Sequence, residues 1–101
     1  MNTILRTEVF DTWLRKLKDS RGKARILDRI RSMERGNFGD CDSVGNGVTE
    51  MRIHFGSGYR VYFSRLGPVA YILLCGGTKR SQKRDIARAH DLARIIEEEE
   101  S

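Results

Sequence analysis

The chain has 101 residues, of which 39% are apolar and 33% are charged. This length suits a single domain, residues 1–101, and the composition argues against a disordered chain. The longest apolar run, Val69–Cys75, is far shorter than the roughly 20 residues that cross a bilayer. The N-terminal residues also lack the apolar segment of a signal peptide, so we expect a cytoplasmic protein.

The positive charge is concentrated in the body of the chain. The formal net charge is +5, although Glu97–Glu100 holds four of the fourteen acidic residues. Without this tail, nineteen basic residues face ten acidic ones, so the body carries a charge of +9. Such a body favours a polyanionic partner such as nucleic acid or the ribosome. The tail, residues 97–101, is expected to fray into solvent, because termini do so and its like charges repel.

The first third of the chain predicts one strand and two helices. Residues 2–6 form the strand, and helical spacing of apolar residues begins at Glu8, with Thr7 placed to cap the helix. The apolar stripe of this helix consists of Val9, Phe10, Trp13, Leu14 and Leu17. After a break at Ser20–Gly22, a second amphipathic helix runs to a stop at Gly36, and the short break predicts a helical hairpin.

The next segment has the two-residue period of β-strands. Alternation predicts strands over residues 49–55 and 59–64, joined by a tight turn at Gly56–Gly58. A slip of one residue would mix apolar and polar side chains on both faces, so burial of one face selects the register. The predicted pairs are Phe55 with Tyr59, His54 with Arg60, Ile53 with Val61, Arg52 with Tyr62, Met51 with Phe63 and Glu50 with Ser64.

The last third predicts a central strand and a helix. Val69–Cys75 is continuously apolar, which is typical of a strand buried on both faces, and Gly76–Gly77 is expected to end it. A helix then begins near Ser81, with Ile86, Ala89, Ala93 and Ile96 on its inner face. The order of elements predicts an α+β domain in which helices pack on the apolar face of a three- to four-stranded, mostly antiparallel, twisted sheet.

The polar face of the predicted hairpin carries a candidate anion site. It gathers Glu50, Arg52, His54, Arg60 and Tyr62 on adjacent strands. Two opposed basic side chains do not stabilise a sheet, but they suit a bound anion, with Glu50 balancing part of the charge when no anion is present. The alternative is an ordinary solvated sheet face on which Glu50 contacts Arg52.

A second anion-binding feature is the start of the last helix. Gly76–Gln82 leaves a strand and enters this helix, where free backbone amides favour anions and where Lys79 and Arg80 add positive charge. The spacing of a Walker loop is absent, which argues against nucleotide hydrolysis of that kind. The alternative is a plain capped turn.

The two cysteines predict no chemistry. Neither the spacing nor the surroundings of Cys41 and Cys75 are those of a metal site. We expect two reduced thiols, with Cys75 buried, and we expect no metal or other cofactor.

Three motifs occur in order along the chain. They are Glu50-x-Arg52-Ile53, then Gly58-Tyr59-Arg60-Val61-Tyr62-Phe63, then Leu73-Leu74-Cys75-Gly76-Gly77-x-Lys79-x-x-Gln82-x-x-Asp85-Ile86. With the leading strand and helix pair, they resemble the RelE/HigB toxins, and more narrowly the phage-derived addiction-module killer proteins. The resemblance covers nearly the whole chain. It implies a RelE-like fold and a toxin of a type II toxin–antitoxin system.

The resemblance also implies an activity and partners. The activity is ribosome-dependent cleavage of mRNA, which inhibits translation, and the partners are the ribosome, mRNA and a cognate antitoxin, often of the helix-turn-helix type. We expect an acidic or amphipathic antitoxin segment to cover the basic face or the groove beside the last helix.

The reaction can be written without a metal. The ribose 2′-hydroxyl attacks the adjacent phosphate and leaves a 2′,3′-cyclic phosphate and a 5′-hydroxyl, with proton transfers and cationic stabilisation of the phosphorane. By match to the family pattern, Arg60 is predicted to stabilise the phosphate, assisted by Arg52 and Lys79. His54 is predicted to act as general acid or base, because imidazole titrates near neutrality. Tyr62 is predicted to stack on a base or to orient the phosphate.

Other residues complete the predicted site. Contacts to RNA or phosphate are expected from Arg80, Gln82 and Glu50. One position departs from the family pattern, since Ile86 lies near the place where several relatives carry a catalytic tyrosine. The role of that tyrosine is therefore empty, or it is taken by Tyr62 or His54.

Two other functions are compatible with the same pattern. Toxins of the ParE type share this architecture but poison DNA gyrase, and they lack the dense basic cluster on the sheet. A non-enzymatic module could also use the cluster to bind RNA or a partner protein. The cluster of basic residues favours RNA cutting over the gyrase poison.

Overall fold

In the computed structural model, which describes residues 1–100, five strands form one mixed sheet in the order β1-β5-β4-β3-β2. The strands are β1 (Thr3–Arg6), β2 (Cys41–Ser43), β3 (Val48–Ile53), β4 (Tyr59–Gly67) and β5 (Ala70–Thr78). β1 pairs with β5 in parallel, and the other pairs are antiparallel. The α+β class is confirmed, whereas three to four strands were too few. The additional strand, β2, is a short, polar edge strand without the apolar alternation that reveals strands in a sequence.

The described residues contain three α-helices: α1 (Glu8–Lys16), α2 (Ser20–Glu34) and α3 (Gln82–Glu100), the last preceded by a 3-10 turn, Lys79–Ser81. The Thr7 hydroxyl caps α1 by accepting a hydrogen bond from the Phe10 amide at 3.0 Å, as predicted. Gly36 follows α2 with φ +88°, also as predicted. None of the described helices is long and apolar enough to span a membrane.

The predicted break between the first two helices is wrong by a few residues. α2 already begins at Ser20, because Asp19 caps it and accepts a hydrogen bond from the Gly22 amide at 3.0 Å. Gly22 lies within α2, at a position where a side chain would collide with the Tyr59 ring. The glycine therefore allows close packing of α2 against the sheet and does not end a helix.

Helices cover both faces of the sheet, not the single apolar face predicted. One core lies between the sheet and the pair α1 and α2, and it contains Phe10, Leu14, Ile26, Ile30, Met33, Met51, Ile53, Tyr59, Val61, Phe63 and Leu73. The second core lies beneath α3 and contains Val48, Tyr62, Leu74, Cys75 and Ala89. Leu73 and Leu74 of β5 thus lie in different cores, as expected of a central strand, whereas Cys75 shares the second core with Leu74 where the pairing with β4 shifts register.

Two glycines within β5 allow this packing. The strand continues through Thr78, so the prediction that Gly76–Gly77 ends it is wrong. A side chain at Gly76 would overlap the Trp13 indole, and one at Gly77 would overlap the Asp85 carboxylate. The glycines are therefore required because α1 and α3 approach the strand from opposite sides.

The acidic tail also differs from the prediction. α3 remains helical through Glu100, and the Glu98 carboxylate lies 3.9 Å from Arg94. A regular helix thus extends through residues 97–100, which were expected to fray. Ser101 lies outside the described residues.

Gly76→Ala is expected to lower the free energy of unfolding by about 1–3 kcal/mol, because the new methyl group overlaps the Trp13 ring. Urea unfolding measures this. Gly67→Ala is the matched control, since Gly67 lies in the same sheet with no atom within 4 Å of its added methyl, and it should change stability by less than about 0.5 kcal/mol. Equal losses in the two variants would contradict the close contact.

Candidate functional site

The β3–β4 hairpin has a register two residues away from the predicted one. Arg52 faces Arg60, and Glu50 faces Tyr62, so the expected pairing of His54 with Arg60 does not occur. Two basic side chains are opposed in either register. The polar face therefore contains the predicted residues, but none of them has its predicted partner on the opposite strand.

The turn explains the offset. It spans residues 54–58, longer than the three residues expected, and both Gly56 (φ +55°) and Gly58 (φ +75°) are in the left-handed region. A shift of two residues leaves every side chain on its original face. The burial pattern that excludes a one-residue slip therefore cannot exclude this one.

The Glu50 carboxylate is the centre of the site. It is only 1% exposed, and it accepts hydrogen bonds from Arg52 Nη1 at 3.0 Å, from the Tyr62 hydroxyl at 3.0 Å and from Gln82 Nε2 at 2.9 Å. A buried charge requires such donors, because desolvation is otherwise too costly. Glu50 and Gln82 were predicted to contact RNA or phosphate, whereas in this structure they bind each other.

Tyr62 is not placed as predicted. Its ring is completely buried beneath α3, and burial, together with the hydrogen bond to Glu50, raises the pKa of its hydroxyl. A base cannot stack on a ring in this position. The hydroxyl instead helps to hold the Glu50 carboxylate, so the expected contact with RNA is corrected to an internal one.

Arg52 is surrounded by carboxylates. Its guanidinium donates to Asp40 at 3.2 and 3.3 Å and to Asp42 at 2.6 Å, in addition to Glu50. The hydrogen bonds that Arg52 donates to Asp40 and Asp42 raise the pKa of its guanidinium. Its positive charge is thus matched within the protein, which leaves little of it for a phosphate.

His54 lies in the turn after β3 and is tied to Asp40. Its Nε2 is 2.6 Å from Asp40 Oδ2, and its side chain is 73% exposed. Hydrogen bonds from Arg52 and His54 lower the pKa of Asp40 to about 2. The carboxylate therefore orients the imidazole and leaves its second nitrogen, Nδ1, for another partner.

Arg60 is the least satisfied of the cations in this hairpin. Its side chain is 11% exposed, and its Nε lies 3.5 Å from Glu50. Among the described residues, Nε is the only buried side-chain nitrogen or oxygen without a hydrogen-bond partner. Nη1 donates to the Gly58 carbonyl at 3.2 Å, and the Lys79 amide donates to the same oxygen at 2.9 Å. The Gly58 carbonyl thus brings Arg60 and Lys79 together.

The turn that carries Lys79 and Arg80 is held in place by hydrogen bonds of Ser81. The Ser81 hydroxyl accepts a hydrogen bond from the Thr78 amide at 3.3 Å and donates to the buried Asp85 carboxylate. Lys79 and Arg80 themselves are exposed. The start of α3 is therefore anchored while its cations remain accessible.

Seven of the eight predicted site residues belong to one connected set of hydrogen bonds and ion pairs. These are His54, Arg52, Glu50, Tyr62, Gln82, Arg60 and, through its backbone amide, Lys79. The eighth, Arg80, follows Lys79 and lines an open groove along α3. The sequence thus identified the members of the site, but several of them face inward.

Sequence reasoning missed the acidic partners. Asp40 and Asp42 are spaced by two, which places both on the side that faces Arg52, but this spacing has meaning only once residues 41–43 are known to form a strand. The contact between Asp85 and Gly77 has no comparable signal, because it depends on how closely α3 approaches β5.

The cysteines have no reactive setting. Burial raises the pKa of the Cys75 thiol to about 12, and burial also raises that of Cys41. Both thiols are free, and Cys75 is buried, as predicted. Within residues 1–100, no group of three or more His, Cys, Asp or Glu side chains is placed to hold a metal ion.

The sequence was compared with known families and proteins. No protein-family model matches the chain. The sequence is 50% identical over 90 residues to an uncharacterized protein of Haemophilus influenzae, an alignment that covers 89% of this chain and 91% of that protein. The chain belongs to the same family as this protein. The relative's description names no activity, so the functional argument depends on the site.

Glu50→Leu is expected to lower the free energy of unfolding by about 3–5 kcal/mol, because it leaves the buried donors around it without their charge partner. Urea unfolding at neutral pH measures the loss. Asp42→Leu is the control, since Asp42 binds the same arginine from an exposed position and should cost under about 1 kcal/mol. Similar losses for both would argue against a central role of Glu50.

Asp40 should make stability dependent on pH in the acidic range. Because its folded pKa, about 2, lies below the ordinary value of 3.8, its stabilising effect is complete above pH 3.8 and is lost as the pH falls through about 2. The difference in unfolding free energy between the wild type and Asp40→Asn should therefore shrink across this range. A difference that stays constant would show that Asp40 is not held by Arg52 and His54.

Proposed function

We propose that this chain is a ribosome-dependent endoribonuclease that cuts mRNA without a metal, the toxin of a type II toxin–antitoxin pair with a RelE-like fold. The three sequence motifs that resemble RelE/HigB toxins support this proposal. Their polar residues meet at one edge of the sheet, where β3, β4 and the start of α3 come together. The basic body of the chain suits an RNA partner.

The observation that carries the proposal is the state of Arg60. Its Nε is buried against Glu50, whereas its Nη2 has no hydrogen-bond partner among the described residues and is not among the buried atoms, so the outer end of this guanidinium can bind an oxygen ligand from outside the protein. The planar fork of arginine fits two phosphate oxygens. Lys79, whose backbone amide donates to the same Gly58 carbonyl as Arg60, brings a second, exposed basic side chain to this end of the sheet. Both cations would neutralise the charge that develops on the phosphorane.

The proton transfers can be assigned to the turn before β4. With Nε2–H donated to Asp40, His54 carries a lone pair on Nδ1 that can accept the proton of the 2′-hydroxyl. The bond from O2′ to phosphorus then forms, and the bond from phosphorus to O5′ breaks. The departing O5′ takes a proton from solvent. Asp40 is the positioning residue that fixes the imidazole.

The remaining predicted residues have supporting roles in this proposal. Glu50, Tyr62 and Gln82 hold Arg60 and the start of α3 in place from inside the protein. Arg52 positions Asp40, and Arg80 contacts a neighbouring phosphate. The proposal also includes a cognate antitoxin and action in a bacterial cytoplasm.

Arg60→Ala is expected to reduce mRNA cutting by about 100-fold or more, because one preorganised donor to the transition state is removed. Brief induction in a bacterial host, followed by transcriptome-wide mapping of new 5′ ends, measures the effect. Wild type and Arg35→Ala, a control at an exposed arginine after α2, should both produce in-frame cuts within translated messages. Arg60→Lys should retain part of the activity, since it keeps the charge but loses the fork.

Thermal unfolding of each purified variant separates loss of cutting from loss of the fold. Folded Arg60→Ala that cuts at the wild-type rate would contradict the assignment of Arg60. Growth arrest with DNA damage and without new 5′ ends would instead favour a gyrase poison. Ribosome binding that falls in parallel with the effect on growth, without cutting, would favour a binding module.

A further inference from the structure

The outer side of α3 carries a stripe of basic side chains. We define the α3 basic stripe as Arg80, Lys83, Arg84 and Arg88, all of which are exposed. Arg80, Lys83 and Arg84 line one open groove with Ala87, and Arg88 lines the adjoining groove between α3 and α1. Arg84 and Arg88 are four residues apart and therefore neighbours on the helix surface.

This arrangement does not stabilise the helix. Like charges four residues apart repel, and cations in the first turn oppose the positive end of the helix dipole. The one acidic residue of that turn, Asp85, is buried and faces Ser81. Among the described residues, no carboxylate forms an ion pair with any member of the stripe.

The next turns of the same helix are different. Arg94 lies 3.4 Å from Asp91 and 3.9 Å from Glu98, so its charge is matched by neighbours at helical spacing. Compensation by acidic residues is thus available to this helix and is used near its C-terminal end. Its absence from the stripe indicates that the stripe faces an external polyanion.

We infer that the α3 basic stripe binds the phosphodiester backbone of RNA, from Arg80 in the cutting site to Lys83, Arg84 and Arg88 beyond it, and holds the toxin on its RNA target. The choice of RNA rests on the proposed function. Three of the four residues are arginines, whose forks suit phosphate oxygens. A protein partner would need an apolar anchor, and the groove beside Arg84 offers only Ala87. The groove beside Arg88 contains Val9 and Trp13, but both side chains are partly buried and already packed against the cores. Arg80 joins the stripe to the site around Arg60.

The test measures binding of the intact chain to a fluorescein-labelled, single-stranded 2′-O-methyl RNA, which cannot be cut because its 2′-hydroxyls are blocked. The stripe variant carries Lys83→Gln, Arg84→Gln and Arg88→Gln, with Arg80 retained because it belongs to the site. The control variant carries Arg15→Gln, Lys18→Gln and Arg35→Gln. These three control positions are also exposed, and they are free of ion pairs among the described residues.

The stripe variant should bind about tenfold or more weakly at low salt, and its slope of log K against log salt should become shallower by about 2, since three phosphate contacts are lost. The control should keep nearly the wild-type slope. The stripe variant should also melt at or above the wild-type temperature, because like-charge repulsion has been removed.

Equal losses of RNA affinity in the stripe and control variants would show that binding depends only on the net charge, and would overturn the inference. An unchanged slope of log K against log salt in the stripe variant would overturn it as well. Retained RNA affinity with lost affinity for poly-glutamate would assign the stripe to an acidic protein and overturn it too. Cutting is a separate readout: absence of new 5′ ends after induction of the wild type refutes the proposed nuclease, whereas it leaves the binding result intact.

Discussion

The buried Glu50 carboxylate is the constraint on which the rest of the site depends. At 1% exposure it must be matched by donors, and these come from three elements: Arg52 of β3, Tyr62 of β4 and Gln82 of α3. Satisfying one charge therefore fixes how the hairpin and the last helix meet. Arg60, which contacts the same carboxylate without a hydrogen bond, is held at that junction with unused donor capacity.

This constraint divides the cations into two kinds. Arg52 is matched by Asp40, Asp42 and Glu50, and it serves the structure. Arg60 has only the Glu50 carboxylate beside it, at 3.5 Å, and Lys79, whose backbone amide shares the Gly58 carbonyl with Arg60, forms no ion pair among the described residues. The basic character inferred from the composition is thus not spread evenly, because acidic side chains cancel it on one side of the hairpin and leave it available at the start of α3.

Local interactions account for the part of the fold that was predicted. The Thr7 cap and the glycine after α2 involve residues close together in the chain, so sequence spacing reveals them. Burial of both faces of β5, at Leu73 and Leu74, also follows from the apolar run. The edge strand Cys41–Ser43 escaped notice, because its pairing with β3 depends on backbone hydrogen bonds that leave no mark on side-chain type.

The members of the site follow from the amino-acid pattern, since every register that buries the apolar side chains places Arg52 and Arg60 together on the other face. Their neighbours, by contrast, depend on the three-dimensional fold. A two-residue shift costs nothing in burial, so the length of the turn decided that Arg60 faces Arg52 and that His54 pairs with Asp40. Packing of α3 on that face, which depends on contacts distant in sequence, buries Tyr62 and leaves Lys79 and Arg80 exposed.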